Sequence, residues 1–296
     1  MLSDERHAIA TELNPPFTIA NRNAISTPFV FCSPHSGRVY PKNFLKQTQL
    51  DARTLRKSED YFIDHIFSPA AQALPAPLIC ARFPRAYVDV NREPYELDAR
   101  LFQEPLPDFA NKHTTRVAGG LGTIARIVAD GEEIYPRPIP LALALERINR
   151  LYDPFHKALC DLLDARQARF GYAVLIDCHS MPSISMAPTI DERPDIVLGD
   201  RFGASCDGDL SGFIKQSLQD MGYSVGKNQP YAGGFITEHY GTPINGRHAI
   251  QIEINRGLYM NEQRLEPSLG YGRLKRDLAL MAGQLPSLSA YPSAAE

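Results

Sequence analysis

Short apolar runs recur along the chain and read as buried strands: Phe29–Cys32, Leu78–Ala81, Tyr87–Val90, Ala173–Ile176, Ile196–Leu198 and Ala249–Ile254. Most are nearly continuous in hydrophobicity, the pattern of a sheet covered on both faces. Longer stretches of helical period separate them. The clearest runs from about Leu141 to Arg169, where Leu141, Leu145, Ile148, Tyr152, Phe155, Leu159 and Leu162 form one apolar stripe. Pro154 lies inside that helix and should kink or divide it, and Gly171 should stop it before the next strand. Further helices are predicted over Asp60–Ala73, Leu210–Met221 and Gly272–Leu285. Between Glu93 and Pro140 the chain is rich in proline, glycine and charge, which predicts a long excursion of the kind that forms lids. No repeat or linker interrupts the pattern, so one domain is expected over residues 1–296. Strands alternating with helices predict an α/β three-layer sandwich with a mixed, largely parallel central sheet.

Composition narrows the classes without changing that picture. The chain has 296 residues, 44% of them hydrophobic and 22% charged, enough for a full core. A formal net charge of −3 argues against nucleic acid or an acidic membrane surface as partner. No apolar run reaches the length of about 18 residues that a spanning helix needs. The start, MLSDERHAIATELN, lacks the basic and apolar regions of a secretory signal. Five cysteines at 32, 80, 160, 178 and 206 form no CxxC pair, which points to reduced thiols in a cytoplasm.

Four segments place ligand-type residues at the end of an apolar strand, where α/β sheets build their sites. FVFCSPHSG (29–37) runs into a turn holding His35, and AVLIDCHSMP (173–182) runs into Asp177, Cys178, His179 and Ser180. Two such histidines suggest a shared metal site, since imidazole is the commonest protein metal ligand; the alternative is that both cap strand ends through hydrogen bonds. A catalytic zinc takes three protein ligands and leaves a position for water. SEDYFIDH (58–65) offers the third ligand, Asp60 first and Glu59 second, although acidic residues also favour a first helical turn. ARFPRAYVDVNREP (81–94) brings Arg82, Arg85, Asn91 and Arg92 together, and guanidinium forks suit an anionic substrate. Some of these arginines should instead pair with Asp89, Glu93 or Asp98. HAIQIEINR (248–256) puts Gln251, Glu253 and Asn255 on one face of an isoleucine-rich strand. A glutamate there is costly unless paired or used, and partial burial should raise its pKa toward the range of proton transfer. Gly233-Gly234-Phe235-Ile236-Thr237 reads as a turn entering a short helix, whose backbone can approach a ligand and where Gly234 and Thr237 can bind substrate.

Seven motifs in order make the chain similar to the N-formylglutamate amidohydrolase family: PHSG (34–37), SEDYFID (58–64), RFPRAYVDVNREP (82–94), DCHSMP (177–182), PDIVLGD (194–200), AGGFITEHYG (232–241) and IQIEINRGLYM (250–260). The family resembles zinc carboxypeptidases and aspartoacylase-like deacylases, a phosphorylase/hydrolase-like fold. The order of residues in that wider group corresponds here to His35, Asp60, Asn91-Arg92, His179 and Glu253. The chain departs from the group's His-x-x-Glu pattern, because Arg38 stands three residues after His35. The resemblance implies that His35, Asp60 and His179 hold one divalent metal, zinc by preference, with water in the open position. It implies Glu253 as the proton carrier, Arg85 as stabiliser of the oxyanion, and Asn91 and Arg92 as anchors of the substrate α-carboxylate. Arg82 or Arg85 would meet a side-chain carboxylate, and Asp177 would orient His179. The implied reaction is hydrolysis of a small anionic N-acyl amino acid, N-formyl-L-glutamate to formate and L-glutamate, a step of histidine breakdown. Another N-acyl amino acid or a short peptide is the alternative substrate, and a non-catalytic binding protein on the same fold the alternative class. Nothing in the pattern specifies an oligomeric state.

Overall fold

The computed structural model describes residues 1–128, 131–183 and 193–287, so residues 129–130 of the predicted excursion lie outside the described residues. Seven strands form one sheet: β1 (Phe17–Ala20), β2 (Phe29–Ser33), β3 (Leu78–Ala81), β4 (Ala173–Met181), β5 (Ile196–Gly199), β6 (Val225–Lys227) and β7 (Arg247–Asn255), in the order β1-β3-β2-β4-β7-β5-β6. β2 with β4, β4 with β7, and β5 with β6 pair in parallel; β7 with β5 is antiparallel. The mixed, largely parallel α/β sheet expected from the apolar runs is therefore present. Every residue of β2, β3, β4 and β5 is buried, which explains why these strands read as continuous hydrophobic runs rather than alternating ones.

The chain divides into two compact units. One comprises Met1–Thr18, Pro34–Glu59 and Cys80–Leu159. It carries the helix Leu2–Glu12, whose Glu5 is fully buried against Arg147, Tyr87 and Asn43. The other comprises Ile19–Ser33, Asp60–Ile79 and Cys160–Glu296, and holds β2, β4, β5, β6 and β7 with the helices Ile63–Ala73, Gly208–Asp220, Phe235–Tyr240 and Tyr271–Gln284. No described helix is long and apolar enough to cross a membrane.

Four expectations need correction. Tyr87–Val90 is not a strand: Pro84 starts a turn in which the Tyr87 N–H donates to its carbonyl at 2.9 Å, and the segment is apolar because it is buried on all sides. The helix predicted from Asp60 starts at Ile63, after Phe62 in the left-handed region (φ 62°), so Glu59 and Asp60 stand in the preceding turn and only Asp64 occupies the first helical turn. β4 does not end at Ile176 but continues to Met181, so Asp177 and His179 are strand residues. The long helix spans Leu141–Arg147 and Asp153–Phe170, joined by a π-helical stretch at Ile148–Tyr152. Pro154 has no N–H to donate backward, and the wider turn before it absorbs that loss.

Candidate active site

Strand alternation explains which side chains meet on the sheet. Asp177 and His179 in β4 lie two residues apart and share a face, and their partners in β7 are Gln251 and Glu253. His179 Nδ1 is 2.9 Å from Asp60 Oδ2, while its Nε2 is 3.0 Å from Asp177 Oδ1. Burial disfavours an imidazolium here, yet Asp177 and Asp60 outweigh it and hold the His179 pKa well above the ordinary value. Thr237, fully buried at the first turn of Phe235–Tyr240, donates its hydroxyl to Asp177 Oδ2 at 3.1 Å. Thr237 therefore stands behind the histidine's own support, and the Gly234 N–H donates to Gln251 Oε1 at 2.7 Å. Cys178 points to the opposite face, where its thiol reaches the Ile176 carbonyl, and the five cysteines form no disulfide.

Asp60 is oriented through its second oxygen. The Ser180 hydroxyl donates to Oδ1 at 3.0 Å, and Arg256 donates from Nε to Ser180 Oγ at 3.1 Å and from Nη2 to Asp60 Oδ1 at 3.4 Å. Oδ2 is thus the oxygen turned to His179. The neighbouring acid, Glu59, is engaged differently: Tyr40 donates to its Oε1 at 2.7 Å, and Arg56 reaches both oxygens at 3.0 and 3.3 Å. Burial raises the Glu59 pKa against the pull of Arg56 and Tyr40.

His35 and the segment 85–92 converge on Asp89. Its Oδ1 is 2.7 Å from His35 Nε2 and accepts the Asn91 N–H at 2.8 Å; Oδ2 accepts from Arg85 Nη2 at 2.8 Å, with Arg92 Nη2 3.9 Å away. Burial works against ionisation of Asp89, but Arg85, His35 and Arg92 prevail and keep its carboxyl well below the usual range. Arg92 is pulled down to about 10, by burial first and against the attraction of Asp89. Its Nε and Nη1 donate to the carbonyls of Leu121 and Asn91. Arg82, expected near the substrate, donates to the Pro15 carbonyl at 2.6 Å and so ties down the N-terminal segment.

Asp60 and His179 stand in one unit and His35 in the other, and all three are buried. Two imidazoles and a carboxylate form a donor set suited to zinc. Four side chains carry more than the sequence pattern assigns them: Asp89, Ser180, Gln251 and Arg256. Gln251 had a legible signal, since it shares the polar face of β7 with Glu253. Arg256 follows Glu253 by three residues at the end of a buried strand, where a cation needs an anionic partner.

The family model described as N-formylglutamate amidohydrolase matches residues 27–260. An N-formylglutamate deformylase of Pseudomonas aeruginosa is 32% identical over 242 residues, covering 80% of this chain and 83% of the relative. A protein of the same description from Pseudomonas putida is 29% identical over 238 residues, covering 79% and 82%. The crystal structure of N-formylglutamate amidohydrolase from Ralstonia eutropha JMP134 superposes with a TM-score of 0.86 at 33% identity, covering 92% of this chain and 97% of that one.

Proposed function

The chain belongs to the N-formylglutamate amidohydrolase family, and on that premise we propose that it hydrolyses N-formyl-L-glutamate to formate and L-glutamate with a bound divalent metal, zinc by preference. The observation that carries the reading is the buried pair of Asp60 and His179, with Asp60 Oδ2 2.9 Å from His179 Nδ1, to which the family resemblance adds His35. Asp89 and Asp177 engage Nε2 of the two histidines, so we assign Nδ1 of each, together with Asp60 Oδ2, to the metal. Bound there, the metal would polarise the formyl carbonyl and lower the pKa of an attacking water from ~15.7 toward roughly 7.

The chain's own groups supply the rest. Glu253 takes a proton from the water as its oxygen bonds to the formyl carbon. It returns that proton to the nitrogen as the C–N bond breaks, which releases formate and the amino group of glutamate. Asn91 and Arg92 hold the α-carboxylate, and Arg85 is positioned by Asp89 to meet the second carboxylate or the developing oxyanion. Arg82, Thr237 and Gly234 remain the further residues assigned to the substrate.

The test is an assay of purified protein on a panel of N-formyl and N-acetyl amino acids, with metal quantified by elemental analysis and with chelator as control. Chelator-sensitive cleavage strongest on N-formyl-glutamate is expected. Glu253→Gln should retain metal and lose on the order of 10²-fold or more in kcat, the range for a general base. Full turnover in that variant would remove Glu253 from the mechanism.

A further inference from the structure

Gln251 lies in the middle of β7 and is almost wholly buried, in a strand otherwise filled by isoleucines on its other face. Both ends of its amide are committed. The Gly234 N–H donates to Oε1 at 2.7 Å, and Nε2 donates to Glu253 Oε1 at 2.9 Å. An oxygen that receives a backbone N–H cannot exchange places with the NH2 group, so the amide has one orientation and presents a donor to Glu253.

The surrounding chain is built to deliver that N–H. Gln251 pairs with Gly199 of β5, and the backbone of Ala232 and Gly233 passes close against that glycine. A Cβ on Gly199 would lie 2.7 Å from the Ala232 carbonyl carbon and 2.7 Å from the Gly233 nitrogen. Gly233 itself has φ +118°, a conformation that L side chains rarely adopt. The crossing is held from below by the Arg201 N–H, which donates to the Ala232 carbonyl at 2.8 Å. Two glycines and a backbone hydrogen bond thus place one amide proton at the buried end of Gln251.

We propose that Gln251 is a positioning residue for Glu253: it holds Oε1 by a neutral donor, so that the carboxylate meets the attacking water in one fixed rotamer. A neutral amide suits this task because a cation in its place would also weaken the carboxylate as a base. The inference rests on the reading of Glu253 as the proton carrier. It adds a residue that touches neither substrate nor metal.

The experiment compares wild type with Gln251→Met, which keeps the length and loses both hydrogen bonds, and with Gln251→Glu, which keeps the shape and cannot donate when ionised. Steady-state kinetics on N-formyl-glutamate and crystal structures of each protein are the two readouts. We expect kcat to fall on the order of 10²-fold, the cost of a misplacement of about 1 Å, with KM changed by less than about threefold. The Glu253 carboxylate should be rotated from its wild-type position. A uniform rise in KM with kcat intact, or a Glu253 that keeps its rotamer in both variants, would overturn the proposal. Should the wild type not cleave N-formyl-glutamate at all, the functional reading fails on its own. The rotamer of Glu253 in the two variant structures then decides the role of Gln251 by itself.

Discussion

Asp177→Asn isolates the charge behind His179, the histidine proposed to hold the metal. In the wild type, Asp177 is fully buried, with Oδ1 3.0 Å from His179 Nε2 and Oδ2 accepting from Thr237 at 3.1 Å. An asparagine can keep both contacts, its oxygen accepting from Nε2–H and its NH2 donating to the Thr237 hydroxyl, whose hydrogen is free to rotate. Only the negative charge is lost. Partners of this kind are worth ~10–100-fold in metal affinity, or about 1.4–2.7 kcal/mol. With the hydrogen bonds retained, a loss of about tenfold in zinc affinity is expected. Asp177→Leu removes the hydrogen bonds too and should approach ~100-fold, with two buried groups left unsatisfied at ~1–3 kcal/mol of stability each. A proton competes with the metal for His179, whose pKa Asp177 helps to raise against the effect of burial. Removing the charge weakens that competitor as well, so the gap between wild type and Asp177→Asn should widen as pH rises. Competition of each apo-protein against a chromophoric zinc chelator at several pH values measures this, with thermal melting as the stability control. Equal zinc affinities in all three proteins, or a gap that closes with rising pH, would refute the reasoning.

Two further outcomes are expected. Arg92→Lys replaces a fork whose Nε and Nη1 bind two carbonyls, so KM for N-formyl-glutamate should rise by about tenfold or more with a smaller change in kcat; an unaltered KM in steady-state assays would place the carboxylate elsewhere. Glu5→Gln discharges a carboxylate that holds the fully buried Arg147, and should cost ~3 kcal/mol at neutral pH in urea unfolding. Burial raises the Glu5 pKa, but Arg147, Tyr87 and Asn43 outweigh it and bring it below 4.5. The contribution is therefore present above pH 4.5 and lost as pH falls through the lower folded value, so the difference between wild type and variant should shrink in acid. A difference that stays constant down to pH 3 would contradict the pairing.

β2, β3, β4, β5 and β7 were legible because burial leaves apolar runs, whereas the part-exposed β1 and β6 carry no such run and were not predicted. Tyr87–Val90 misled for the same reason: burial without a sheet partner produces the same hydrophobic run as burial within one. The end of β4 was read too early because Asp177 and His179 are polar, although a strand can carry polar residues wherever they converge on one another. Asp60 and Glu59 are adjacent acids in the sequence, and what distinguishes them lies elsewhere in the chain: Tyr40 and Arg56 hold Glu59, while Ser180 and Arg256 orient Asp60. Asp89 pairs with Arg85, as local charge pattern suggested, yet its grip on His35 joins positions 54 residues apart. Contacts of that range leave no periodic trace in a single chain.

The pairing of β4 with β7 places His179 beside Glu253 and Asp177 beside Gln251. Neighbouring strands are spaced ~4.8 Å apart by their backbone hydrogen bonds, so the gap between His179 and Glu253 is gauged by the main chain itself. Insertions in surface loops can be absorbed without disturbing it. A single-residue deletion within β7, ahead of Gln251, would exchange the two faces of everything downstream, sending Glu253 to the isoleucine face and Ile252 to the face of Asp177 and His179. Length variation in relatives that keep this chemistry should accordingly fall outside β4 and β7, and random deletion libraries should find those two strands the least forgiving part of the molecule.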